Sequence, residues 1–92
     1  MLVDFWASWC GPCLAMAPIF ERAATAFEPH IRFLKVDTEA EPALAQRFDI
    51  RGIPTLIVFR NGAPVARRAG AVDARILQAW LHQHLPELSP AA

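Results

Sequence analysis

Leu2-Val3-Asp4-Phe5-Trp6-Ala7-Ser8-Trp9-Cys10-Gly11-Pro12-Cys13 decides how this chain folds, because it runs from a strand into a helix and sets two thiols at the junction. From Leu2 to Ala7 the run is apolar except for Asp4, which suits a strand covered on both faces and central in its sheet. Beyond Gly11-Pro12, Met16, Ile19, Phe20, Ala23 and Phe27 recur at three- and four-residue steps. One face of a long helix is therefore apolar to about Glu28, and Pro29 stops it. Pro18 lies inside that pattern and removes one backbone hydrogen bond, so the helix is expected to bend there without breaking.

Working outward, Ile31 to Val36 reads as a second strand. Glu41-Pro42 opens a short helix with Leu44, Ala45 and Phe48 on its buried side. The β-branched and apolar run Thr55 to Phe59 leads into Asn61-Gly62, a pair that tolerates positive φ at both centres of a tight hairpin, and then into a strand from Pro64 to Ala69. Pro64 cannot donate to a ladder, so that strand belongs at a sheet edge or begins just past the proline. Asp73 is the candidate N-cap of a last helix with Val72, Ile76, Leu77, Trp80, Leu81 and Leu85 facing inward. Residues 1–85 thus read as one α/β domain, strand-helix-strand-helix-strand-strand-helix, with a four-stranded mixed sheet flanked by helices. Residues 86–92 read as a frayed tail.

With 92 residues and 54% apolar side chains, the chain has room for one core. Nine basic residues balance nine acidic ones, with no basic run, which argues against nucleic acid as a partner. No apolar stretch approaches the roughly 20 residues needed to cross a bilayer. Met1-Leu2-Val3-Asp4 lacks the basic start and apolar centre of a secretory signal, so the expectation is a cytoplasmic protein without membrane contact. Two cysteines two residues apart then suggest redox or metal chemistry. A structural zinc site normally needs four ligands, and the remaining candidates are His30, His82 and His84. The two on the last helix point to different sides and read as solvated side chains, so no metal is expected.

If Gly11 or Pro12 begins the helix, Cys10 sits where unpaired N–H groups and the helix dipole stabilise an anion. The thiolate, the nucleophilic form of cysteine, is such an anion, so Cys10 is the attacking group. Cys13 lies on the same helical face at about 5 Å between Cα atoms, within disulfide range, and resolves the mixed disulfide. Gly11 removes a side chain where a partner approaches, and Pro12 fixes φ in the first turn. Asp4, a carboxylate in a strand buried on both faces, has two readings. Desolvation makes it a proton-handling group, or it is a structural acid solvated by water or paired with Lys35. Trp6 reads as core and Trp9 as a lip of the site.

Taken in order, Val3-Asp4-Phe5-Trp6-Ala7, Trp9-Cys10-Gly11-Pro12-Cys13, Ala17-Pro18, Lys35-Val36-Asp37, Arg51-Gly52-Ile53-Pro54-Thr55, Asn61-Gly62 and Ala69-Gly70-Ala71 resemble the thioredoxin family from Val3 to about Leu85. The resemblance implies the thioredoxin fold in a minimal βαβαββα form, and a protein-disulfide reductase in which Cys10 attacks and Cys13 resolves. It implies that Asp4, assisted by Lys35 and a water, handles the Cys13 proton. It implies that Ile53-Pro54 is a cis peptide facing the disulfide. With Trp9, Gly11, Pro12 and Ala69-Gly70, that peptide would form the shallow surface on which an extended substrate lies, paired through the backbone of Ile53. The implied partners are disulfide-containing proteins and a flavin-containing, NADPH-dependent thioredoxin reductase; no cofactor is bound by this chain. On the same fold, the alternative is a redox-inactive docking module using the Trp9, Pro54 and Gly70 surface.

Three departures qualify the resemblance. Leu14 stands where the family usually has lysine or arginine, which removes a positive charge near Cys10. Ser8 stands where many members have Glu or Pro, a change at the rim. Thioredoxins normally place a strand and a helix ahead of the central strand, and this sequence starts directly with that strand. Residues 31–36 are then expected to form an exposed edge with a tendency to self-associate or to need upstream residues. Leu14-Ala15-Met16-Ala17-Pro18 and Glu39-Ala40-Glu41-Pro42-Ala43-Leu44-Ala45 look more like the bacterial thioredoxin-2 branch, whose members carry an N-terminal zinc ribbon that these residues do not contain.

Overall fold

The structure is a computed structural model and describes residues 1–85. Its elements are β1 (Leu2–Trp6), α1 (Gly11–Phe27), β2 (Phe33–Asp37), α2 (Pro42–Arg47), β3 (Thr55–Arg60), β4 (Ala63–Ala69) and α3 (Ala74–His84). The sheet order is β2-β1-β3-β4, with β1 parallel to β2 and antiparallel to β3, and β3 antiparallel to β4. The apolar run at the start of the chain is interior as expected, and its first four residues are buried.

The two-residue period of a strand divides β1 between two cores. Leu2 joins Leu56 and Val58 of β3, together with Met16, Phe20 and Phe27 of α1 and Leu77, Trp80 and Leu81 of α3. Val3 and Phe5 join Ile57 and Phe59 on the opposite face, where Phe48 and Ile50 pack against them. α1 continues through Pro18. A proline within a helix costs about 3 kcal/mol, whereas fully burying a Phe or Met side chain returns about 1.5–3 kcal/mol. With Met16, Phe20 and Phe27 all buried, packing outweighs the lost hydrogen bond.

The turns follow their local chemistry. Asn61 and Gly62 both take positive φ, 53° and 81°, and join Arg60 to its partner Ala63. Pro64 is part of β4, an edge strand, and pairs with Phe59 where the register is irregular. Asp73 caps α3, its carboxylate accepting the Ile76 N–H at 2.8 Å.

Four expectations are corrected. β2 runs from Phe33 to Asp37 instead of Ile31 to Val36. His30 and Ile31 still donate to the Phe27 carbonyl in the turn that leaves α1, so the ladder starts later, with Leu2 N–H donating to Arg32. Leu44, Ala45 and Phe48 are half-buried, since α2 is short and leaves a groove of about 290 Å³ beside it, lined by Val3, Phe5, Leu34 and Val36. Ile76 is 40% exposed because Leu77, Trp80 and Leu81 define the buried stripe and Ile76 lies at its border. His82 and His84 are not solvated tips: they are half-buried edge-on to Phe27 and Trp80 at 5.5 and 5.6 Å. The tail expected at residues 86–92 lies outside the described residues.

Candidate functional site

α1 begins at Gly11 with Pro12 in its first turn, which makes Cys10 the N-cap, in extended backbone at φ −88° and ψ 106°. Its Sγ accepts the Cys13 N–H at 3.1 Å, so sulfur occupies the place that a serine or aspartate oxygen takes in an ordinary cap. Cys10 and Cys13 are joined in a disulfide with their Cα atoms 5.2 Å apart. Both are buried, while Gly11 and Pro12 beside them are exposed. A Cβ added at Gly11 would meet nothing within 4 Å, so its smallness matters only to a molecule arriving from outside. Leu14 is half exposed on the next turn, and Ser8 is exposed before the site.

The loop ahead of β3 supplies the other side. Ile53-Pro54 is cis, and the Ile53 carbonyl lies 3.7 Å from Cys10 Sγ. Thr55 Oγ1 donates to the Gly52 carbonyl at 2.5 Å, and Gly70 N–H donates to the Pro54 carbonyl at 2.8 Å. Gly70 has φ +95°, a conformation open to glycine and strained for other residues, and it follows Ala69, the partner of Thr55 in the ladder. Pro54 is fully buried, so it supports the surface from beneath while half-buried Ile53 faces outward. Between Trp9, Thr38, Ala45, Ile50, Arg51, Gly52 and Ile53 lies a pocket of about 300 Å³.

Trp9 is 67% exposed, as a lip residue should be, yet its indole is held in place. Nε1 donates to Glu39 Oε1 at 2.6 Å, and Glu39 in turn donates its N–H to Asp37 Oδ1 at 2.8 Å. A charge-assisted bond of this kind fixes the orientation of a ring that otherwise rotates in solvent. Glu39 carries no sequence signal for this role. It lies thirty residues from Trp9 in a polar stretch, and no local pattern signals the contact.

Asp4 points to the face shared with Leu2 and Leu56, the one covered by α1, on whose inner side Cys13 is buried. It is 1% exposed, and among the described residues no protein group donates a hydrogen bond to either carboxylate oxygen. Desolvation by burial raises its pKa from 3.8 to about 6, against the opposing pull of the Lys35 ammonium. Lys35 is the Cα partner of Asp4 in the parallel ladder, and its Nζ stands 4.6 Å from the Trp6 ring centroid. A structural carboxylate is expected to be hydrogen-bonded. Asp4 is buried without a protein donor, and its pKa is pushed up to about 6. Trp6 is half-buried beneath that ammonium. Among the described residues, no group of three or more His, Cys, Asp or Glu side chains is gathered for a metal.

Comparison with known proteins places this geometry. The family model described as Thioredoxin matches residues 1–83. The chain is 46% identical over 87 residues to thioredoxin C-3 of Corynebacterium nephridii, covering 95% of this chain and 59% of that one. It is 44% identical over 85 residues to thioredoxin 1 of Nostoc sp., covering 92% of this chain and 79% of that one. Among solved structures, the thioredoxin of Malassezia sympodialis, Mala s 13, superposes with a TM-score of 0.82 at 40% identity, over 90% of this chain and 72% of that chain. The chain therefore spans little more than half the length of the first relative and most of the other two. These matches bear on the family and not on the thioredoxin-2 branch.

Proposed function

We infer the division of labour at the site from the premise that this chain belongs to the thioredoxin family and, like its relatives, is a dithiol–disulfide oxidoreductase acting on protein disulfides. In the reduced protein the Cys10 thiolate attacks one sulfur of a substrate disulfide. That bond breaks, one substrate thiolate leaves, and a mixed disulfide remains on Cys10. Cys13 loses its proton to Asp4, with Lys35 tuning the carboxylate, and its thiolate attacks Cys10 Sγ. The second substrate thiolate departs, leaving the Cys10–Cys13 disulfide. Two electrons pass to the substrate and the protein dithiol is oxidised.

The observation that carries this reading is Cys10 as a helix N-cap whose sulfur accepts the Cys13 N–H. An amide aimed at sulfur stabilises an anion there more than a neutral thiol. This helix-end stabilisation remains with Leu14 in place of the family's usual positive charge. Trp9, Gly11, Pro12, Ile53, Pro54, Ala69 and Gly70 serve as the substrate surface, with an extended segment pairing to the backbone of Ile53. Thioredoxins are generally reduced by a thioredoxin reductase. For this chain we assign regeneration to an NADPH-dependent flavin enzyme and the working compartment to the cytoplasm. Among the described residues no helix is long and apolar enough to cross a membrane.

Reduction of insulin by the protein with dithiothreitol as electron donor tests the assignment. Catalysis above the dithiothreitol background is expected. Its absence, with capture of partners that persists when both cysteines are serine, would replace the reading with that of a docking module.

Self-association is expected through β2, at one border of the sheet, where Leu34 is 40% exposed beside the apolar groove. In an antiparallel pairing of two β2 strands centred on Val36, Lys35 lies opposite Asp37 of the second copy on both sides of the axis. Such cross-strand charge pairs contribute about 0.2–1 kcal/mol each. Sedimentation at micromolar concentration should reveal dimers that Val36→Lys disperses; a strictly monomeric species with a cooperative melt would exclude them.

A further inference from the structure

α2 ends in a turn that leaves two carbonyls to be satisfied from elsewhere. Asp49, with φ 55°, donates its N–H to Gln46 at 3.1 Å, and Ile50 donates to Ala45 at 2.9 Å. These are the two bonds of a Schellman stop. The carbonyls of Phe48 and Asp49 then lie past the last helical turn. Arg67 of β4 takes both: Nη1 donates to the Asp49 carbonyl at 3.1 Å and Nη2 donates to the Phe48 carbonyl. A guanidinium supplies two donors in a rigid fork, which a single ammonium cannot do. Three residues further on, just past the end of that strand, Gly70 N–H donates to the Pro54 carbonyl at 2.8 Å. The end of β4 thus grips the loop 48–54 at both ends, and the residues between the two grips, Ile50 to Ile53, form one wall of the pocket beside Trp9.

We infer that Arg67 is a positioning residue for substrate recognition: its fork on Phe48 and Asp49 sets the Ile50–Ile53 wall against which a protein substrate is aligned. The inference rests on the disulfide-reductase reading above and extends it to a residue that does not touch the reacting sulfurs. A plain stabilising role is the competing explanation, and the two differ in what they change. Removing the fork frees the loop but leaves Cys10 and Cys13 on α1, held by their own cap. A substrate with a peptide backbone depends on the wall, whereas a small disulfide meets only sulfur.

The test measures Arg67→Ala and Arg67→Lys with two probes, insulin and hydroxyethyl disulfide, alongside thermal melts. For insulin, KM of Arg67→Ala should rise about threefold to tenfold with kcat little changed, the range expected for losing charge-assisted bonds at an exposed site. For hydroxyethyl disulfide the rate should stay within about twofold of the parent. Arg67→Lys, able to reach one carbonyl, should fall between the two. An unchanged insulin KM, or equal losses with both probes following a lowered melting temperature, would overturn the inference. Failure of the parent protein to reduce insulin would count against the reductase reading instead.

Discussion

Cys10→Ser is expected to abolish disulfide reduction, while Cys13→Ser should complete the first step and stop with the substrate covalently attached. The two cysteines are three residues apart on one helix, yet their surroundings differ in kind. Cys10 caps the helix and receives an amide on its sulfur; Cys13 lies inside the first turn, buried on the inner face. On the proposed division of labour the capping sulfur is the one whose anion the helix end stabilises most, and it is the one expected to open a substrate disulfide at neutral pH. A hydroxyl at Cys10 has no comparable nucleophilicity and cannot form the mixed disulfide. With serine at Cys13 nothing expels the substrate. Mass spectrometry after mixing each reduced variant with a disulfide-bonded protein checks both outcomes. Adduct on Cys13 in the Cys10→Ser variant, matched by retained turnover, would reverse the assignment.

Asp4→Asn is expected to stabilise the fold by about 3 kcal/mol at pH 7.5 and to slow release of the mixed disulfide. In the folded protein Asp4 holds its proton up to about pH 6, against 3.8 for an unburied carboxylate in the unfolded chain. The folded state therefore binds more protons between those values, and stability falls as pH rises through that window. The loss is nearly complete by about pH 7, one unit above the folded-state value. At 1.36 kcal/mol per unit it reaches about 3 kcal/mol, an order-of-magnitude figure. An amide carries no charge to desolvate, so the variant escapes the penalty, and the two proteins should converge below about pH 4. Urea denaturation at pH 4 and pH 7.5 reads this difference directly. The same substitution removes the base assigned to Cys13, so resolution should slow and lose its dependence on a group titrating near pH 6. Equal stabilities at both pH values, or unchanged resolution, would return Asp4 to a purely structural role.

The amino-acid sequence by itself determined the order of the elements, because each is written in a short-range pattern. The apolar run of Leu2 to Ala7, the helical spacing of Met16, Phe20, Ala23 and Phe27, and the Asn61-Gly62 hairpin depend on neighbours within a few residues. The position of Cys10 at the helix N-terminus was legible for the same reason, since a cap is a local event. What only the tertiary structure decided involves residues far apart in sequence. Glu39 pins Trp9 from thirty residues away, and Arg67 bonds the end of α2 from β4. Neither carries a local signature, since a surface glutamate or arginine looks the same whether or not it meets a distant partner. The boundaries that moved have the same origin. β2 begins only where Leu2 reaches Arg32, and α2 stays half-buried because of what the sheet leaves open beside it. Asp4 lies between the two cases: its place in a buried strand could be read from the sequence. That none of the described residues donates to it, and that Lys35 offsets its desolvation only in part, depended on where the fold brought the other polar groups.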